Sequence, residues 1–125
     1  MSLLTTNFTR KEFRCHGNDC CMNSAPINMD LVRALQELRD LLGLPLKVRS
    51  GFRCRKYNKS IGSEDTSQHI CGNAADIEIP RGYTIDEFFM AVEMIPAFLN
   101  GGIGKYPTKG FLHLDVGPQR RWEQV

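Results

Sequence analysis

Leu31, Leu35, Leu38 and Leu42 recur every three or four residues, with Val32 and Ala34 beside them. That spacing predicts an amphipathic helix, with Asn28 as its N-cap and Gly43 closing it after Leu42. Leu46-Lys47-Val48-Arg49-Ser50 alternates apolar and polar positions and reads as a strand. Residues 52–61 suit a short helix, and the polar run from Ser60 to Gln68 suits a loop. Ala74 to Ile79 has the pattern of a buried strand. Thr84 caps a second long helix to about Phe98, with Ile85, Phe88, Phe89, Val92 and Ile95 inward and Pro96 breaking its end. Gly101-Gly102-Ile103-Gly104 begins a strand or a tight bend. Tyr106 to Gly110 is a turn, and Phe111 to Val116 is the last strand. Residues 7–27 are rich in turn formers (Gly17, Asn18, Asp19, Asn23, Ser24, Pro26) and predict irregular structure.

The order helix, strand, short helix, loop, strand, helix, strand, strand points to a small α+β domain. Its sheet should be mostly antiparallel, with the helices packed on one face. At 125 residues the chain makes one domain, divided here into an irregular segment 1–27 and a folded body 28–125. No apolar run approaches the ~18 residues of a membrane span. The start MSLLTTNFTRKEF lacks the apolar stretch of a signal peptide, so the chain is expected to begin mature or unexported.

Sixteen Lys and Arg against fourteen Asp and Glu leave a net charge of +2, which argues against a dedicated nucleic-acid binder. The charge is uneven. Lys47, Arg49, Arg53, Arg55, Lys56 and Lys59 crowd one stretch without an acid, which suits an anionic ligand or a solvated basic face. Five cysteines cannot all pair within one chain, and a reduced setting is the simpler expectation.

The chemistry concentrates in two places. Of three histidines, His69 follows Ser67-Gln68 and precedes Asp76, and His113 sits two residues before Asp115. Two imidazoles and a carboxylate are a ligand set for a catalytic zinc that keeps one position open. On the strand 111–116, Leu112, Leu114 and Val116 should face the core, and Phe111, His113 and Asp115 the other side. Asp76 lies within the apolar run Ala74-Ala75-Asp76-Ile77. A carboxylate there must bind a metal or pair with a cation, for instance Arg53.

Ser50-Gly51-Phe52-Arg53, then Asn58, then Ser67-Gln68-His69-Ile70-Cys71-Gly72-Asn73-Ala74-Ala75-Asp76-Ile77 resembles the S-G-[YF]-R … S-x-H-x-x-G-x-A-x-D pattern of the zinc D-alanyl-D-alanine carboxypeptidase family. That family includes vancomycin-resistance dipeptidases and phage endolysins, and its fold is shared with the signalling domain of hedgehog. Gly102 to Pro107, Gly110 to Gly117 and Arg121-Trp122 are similar to the C-terminal motif of its small bacterial and phage branch. The resemblance spans about residues 28–122.

It implies a hedgehog/DD-peptidase-like fold over 28–125 and one catalytic Zn2+ held by His69, Asp76 and His113. Arg53 would pair with a substrate carboxylate or polarise the scissile carbonyl, and Ser67 and Gln68 would line the cleft. Several family members place the catalytic acid just before the final histidine. Here Gly110, Phe111 and Leu112 cannot act as a base. Asp115 is then the candidate general base, with Glu64 or Asp65 as substitutes.

The activity implied is hydrolysis of peptidoglycan stem or cross-link peptides beside a D-amino acid, as a D,D-carboxypeptidase or an endopeptidase. The partners implied are peptidoglycan peptides, with no nucleic acid, no membrane span and a monomeric chain. A phage or prophage source fits, the protein staying in the cytoplasm until released to the wall. The rival is a zinc-containing binding module of the same fold, without hydrolysis.

Other candidates weigh less. Cys15-His16 with Cys20-Cys21 could form a second, structural metal site, although the spacing is not a standard C-x-x-C pair. Cys71 stands two residues from His69, too close in sequence for a nucleophile–base pair, and no third member is evident. Gly101 to Gly104 lacks the Lys-Ser/Thr of a phosphate loop. Trp122 would cap the core or wall the cleft.

Overall fold

The computed structural model describes residues 3–17, 21, 26–63 and 67–124. Among the described residues seven strands are formed: β1 Leu3–Thr5, β2 Phe8–Thr9, β3 Val48–Ser50, β4 Ala74–Glu78, β5 Gly102–Tyr106, β6 Phe111–Asp115 and β7 Arg120–Glu123. Four helices accompany them: α1 Met29–Leu42, α2 Arg55–Ser60, α3 Ile85–Val92 and α4 Pro96–Leu99. β1 and β2 make a small antiparallel pair. The main sheet has the order β3-β4-β6-β5-β7. Its pairings are antiparallel except for β5 with β7, which run parallel. The fold is the expected small α+β architecture with a mostly antiparallel sheet.

Local chemistry accounts for the helix ends. The Asn28 side chain accepts the Asp30 amide, and Gly43 closes α1 in the left-handed conformation at φ 65°. Thr84 and Glu87 form a reciprocal capping box at the start of α3. The long helix expected from Thr84 to Phe98 is instead two. Pro96 stands at the first turn of α4, where its missing N–H costs nothing, so it starts a helix rather than ending one.

The core lies on one face of the sheet. Leu31, Leu35 and Leu38 from α1 and Phe88, Val92 and Phe98 from α3 and α4 pack there. They meet Ala75, Ile77, Ile103, Leu112 and Leu114 from the strands. Phe8 and Phe13 join the same cluster. This corrects the expectation that segment 1–27 is irregular throughout. Its first part is a strand pair followed by a 3-10 turn over Arg10–Phe13, packed into the common core. The turn formers Asn18, Asp19, Asn23 and Ser24 lie outside the described residues.

β7 has no counterpart in the sequence expectation. Its residues Arg120, Arg121, Trp122 and Glu123 lack an apolar alternation, and it adds at the sheet edge. No helix among the described residues is long and apolar enough to cross a membrane.

Candidate metal centre

The face of the sheet opposite the core carries the polar residues. Its register pairs Ser50 with Asp76, Asp76 with His113, His113 with Gly104, and Gly104 with Trp122. One row across five strands therefore bears Asp76 and His113 side by side, with an indole beyond them. A neighbouring row pairs Ala74, Asp115, Gly102 and Arg120. Glycine at 102 and 104 is required by close approach. A Cβ at Gly102 would lie 2.3 Å from the Asp115 carboxylate, and one at Gly104 would lie 2.3 Å from the Trp122 ring.

His69 arrives from outside the sheet, in the turn before β4. The Ser67 hydroxyl accepts the His69 amide at 3.2 Å. The His69 carbonyl accepts the Arg53 amide at 3.1 Å. The His69 ring places Nδ1 2.6 Å from the Gly51 carbonyl and Nε2 3.1 Å from Asp76 Oδ1. His113 places Nδ1 3.3 Å from the same carboxylate oxygen and Nε2 2.6 Å from Asp115 Oδ2. The two rings meet edge to face at 5.1 Å. All three residues are buried, and one ligand atom from each lies within 4.8 Å of the others.

The hydrogen-bond partners fix where the ring protons sit. The Gly51 carbonyl can only accept, so His69 Nδ1 carries a proton and donates it. The Asp115 carboxylate accepts from His113 Nε2–H in the same way. The neutral form of each ring then aims its remaining lone pair at the Asp76 carboxylate, which is itself an acceptor. Three electron-pair donors facing one point require a cation there, either protons on both rings or a metal ion. The donor set of two imidazoles and one carboxylate, each ring oriented by an outer acceptor, fits a divalent metal of the zinc type.

The electrostatics agree. Burial alone would raise the Asp76 carboxyl, but His69 and His113 outweigh it and hold that group far below the usual carboxylate range. Burial would lower His113, but its bonds to Asp115 and Asp76 prevail and raise it above the ordinary imidazole value. Burial also lowers the Arg53 guanidinium, opposed in part by the Asp76 charge.

Asp115 does not have the surroundings expected of a general base. It is fully buried. Oδ1 accepts the amides of Gly102 and Gly117 at 3.0 and 2.9 Å, and Oδ2 accepts from His113 and from the Arg120 guanidinium at 3.3 Å. Burial would raise its carboxyl, but His113 and the two amides outweigh that and lower it. With both oxygens engaged behind the His113 ring, Asp115 is placed to hold that ring rather than to meet a water in the cleft. Glu64 and Asp65, the substitutes, lie outside the described residues.

A cleft of about 430 Å³ opens in front of the two histidines, lined among others by Arg53, Ser67, Gln68, Tyr106, Arg120 and Trp122. The Arg53 guanidinium reaches the Ser67 hydroxyl at 3.4 Å, while its buried Nε has no partner among the described residues. No ion pair joins Arg53 to Asp76 among the described residues; the groups against the Asp76 carboxylate are the two imidazoles. Of the basic stretch 47–59, Arg53 alone lines this cleft. Lys47 pairs with Glu78, and Arg49 donates to the Lys109 carbonyl. Gln68 Oε1 accepts from Asn73 Nδ2 at 3.0 Å.

Trp122 is a cleft wall: it lies 4.9 Å from the His113 ring and donates to the Tyr106 hydroxyl at 3.1 Å. Tyr106 and Arg120 were not foreseen. Arg120 and Trp122 are two residues apart on β7, a signal legible only once that segment is known to be a strand. Cys71 is exposed and is not among the residues lining the cleft.

A family model described as Peptidase M15 matches residues 6–115. The chain is similar to the probable peptidoglycan L,D-endopeptidase MepK of Haemophilus influenzae, at 33% identity over 104 residues covering 77% of this chain and 54% of that protein. It is also similar to the peptidoglycan L,D-endopeptidase MepK of Escherichia coli K12, at 34% identity over 103 residues with the same shares. The chain spans about half the length of the curated relatives it matches.

Proposed function

The chain belongs to the peptidase M15 family, and from that premise we propose that it is a zinc-dependent peptidase that hydrolyses peptidoglycan peptides beside a D-amino acid. The observation that carries the reading is the convergence of His69 Nε2, His113 Nδ1 and Asp76 Oδ1, each ring with its other nitrogen already committed. These three residues would hold the ion. When bound, zinc supplies Lewis acidity and lowers the pKa of water to about 7.

The remaining residues bind and orient. Arg53, half-buried with an unsatisfied Nε, offers a planar fork to a carboxylate of the stem peptide or to the scissile carbonyl. Ser67 and Gln68 line the cleft beside it and fix the peptide backbone. Asp115 keeps the Nε2 proton on His113 and so leaves Nδ1 free for the metal; it is a positioning residue. Arg120 and Trp122 brace that pair from the edge strand. The names of the relatives favour an endopeptidase cut at an L,D bond over carboxypeptidase trimming.

The test is digestion of purified peptidoglycan with product masses assigned. Soluble muropeptides with new amino termini should form, disappear with chelator and return with zinc. Masses then separate an L,D cut from a D,D cut. No metal-dependent release from any wall type would remove the enzyme reading.

A binding module is the second reading. It is favoured by one observation: among the described residues lining the cleft, Asp76 is the only acid, so no separate base stands there. Zinc-dependent retention on peptidoglycan without product would support it.

A further inference from the structure

A second group of metal-ligating side chains lies apart from the histidines. Cys15, Cys21 and Cys54 place their sulfurs within 4.8 Å of one another, and Cys15 and Cys54 are 3.9 Å apart. They come from two distant parts of the chain, the strap after the 3-10 turn and the residue that caps α2. We propose that these three thiolates bind a structural zinc ion that ties the N-terminal strap to the segment carrying Arg53.

The distances suit that ion. Tetrahedral zinc with bonds of about 2.3 Å sets its sulfur ligands roughly 3.8 Å apart. A disulfide needs a separation of about 2.05 Å. Cys15 is fully buried, but none of the three belongs to the large apolar cluster on the sheet. Cys21 and Cys54 are only half-buried, so ordinary packing of thiols does not explain the meeting. Cys54 Sγ already accepts the Tyr57 amide at 3.5 Å, which fixes the sulfur at the start of α2. The Arg53 guanidinium lies within electrostatic reach of Cys15, so one cationic side chain faces the cluster. The pairing differs from the Cys15-His16-Cys20-Cys21 group expected from sequence. Cys54 replaces a loop member, exposed His16 is outside the cluster, and Cys20 lies outside the described residues.

The place of the cluster explains what it would do. Between the 3-10 turn and α1 the described residues form no helix or strand. The strap crosses the loop before α2 at close quarters. The Phe13 carbonyl accepts the Phe52 amide at 2.9 Å, and a Cβ at Gly51 would lie 2.6 Å from Phe13 Cα. The same loop supplies the Gly51 carbonyl that orients His69 and the Arg53 side chain in the cleft. An ion at Cys54 would hold both in place.

The test is metal content of the reduced, zinc-loaded chain. Two zinc ions per chain are expected. His69→Ala should keep the thiolate ion, Cys54→Ser should keep the histidine ion, and Cys71→Ser should keep both. Cobalt substitution should give a thiolate-to-cobalt charge-transfer band in the wild type and in His69→Ala, absent from Cys54→Ser. Should Cys54→Ser fail to fold, alkylation of the wild type replaces it: zinc should shield three cysteines, and chelator should expose them. The proposal is overturned by cobalt loading without that band, by alkylation indifferent to zinc, or by a Cys15–Cys54 disulfide whose reduction adds no zinc capacity. These readouts are independent of hydrolysis, so they stand whether or not the peptidase reading does.

Discussion

Along β6, neighbouring residues enter two different interiors. Leu112 and Leu114 point into the apolar cluster beneath α1 and α3, whereas His113 and Asp115 point into a polar web on the opposite face. All four are buried, so exposure does not tell the faces apart. The apolar face is held by area and shape, which are graded quantities. The polar face is held by partners, and losing one leaves its mate uncompensated in a medium that solvates charge poorly. The first kind of interior should yield stability when cut, and the second should yield function.

The largest effect that tests this contrast is at Asp76. Asp76→Ala should remove the ion held by the histidines, lowering bound zinc from two ions per chain to one, and should reduce the proposed peptidoglycan hydrolysis by about 10³-fold or more, as expected for loss of a catalytic ion. Metal analysis beside a muropeptide assay checks it, and undiminished metal would break the distinction between the faces. Next is Leu114→Ala, a cavity mutation on the other side of the same strand. It should cost about 2–5 kcal/mol in denaturant unfolding while leaving metal content intact. A folded Leu114→Ala protein that had lost its ion would show that the faces are not separable.

Asp115→Asn comes third. It keeps the volume but weakens the acceptor that holds the His113 Nε2 proton, and about 10–100-fold lower metal affinity is expected by competition with a chelator. If Asp115 were instead the base, affinity would be unchanged and turnover would vanish.

The smallest effect is a pH dependence of the metal-free protein. His113 is raised by Asp115 and Asp76 once burial is overcome. Its contribution to stability is then complete below its unfolded value near 6.5 and is lost as pH rises through the higher folded value. Asp76 is depressed, so its contribution is present above about 3.9 and lost only as pH falls toward its folded value. The melting temperature of the apo protein should therefore decline across the interval above about pH 6.5. Zinc, which takes deprotonated ligands, should cancel that decline. An apo protein that melts equally across the interval would contradict the proton assignment at His113.

Much of this arrangement was legible in the chain. The leucine spacing of α1 and its two caps, the Thr84 start of α3, and the strands bearing Asp76 and His113 all follow from local pattern. So does the sharing of one face by His113 and Asp115. Alternation gives a face but not what covers it. That is why Asp115 read as a base open to water, although Gly102, Gly117 and Arg120 enclose it. β7 escaped notice because its register with β5 depends on the Trp122 ring settling over Gly104, a long-range fit with no periodic signature. The meeting of Cys54 with Cys15 and Cys21 is likewise a product of tertiary approach. Pro96 misled because a proline breaks a helix interior but suits a helix start, and the spacing does not say which.

β7 has a neighbour on one side only and adds to the sheet through parallel pairing with β5. Its charged residues Arg120, Arg121 and Glu123 discourage another strand from adding to that edge. A strand so held opens at lower free energy than the centre of the sheet. The wall formed by Trp122 can thus swing away while β4 and β6, with Asp76 and His113, stay closed. Amide hydrogens of β7 should exchange with solvent well before those of β6. In kinetic terms, the side of the cleft built on β7 yields before the side built on β4 and β6.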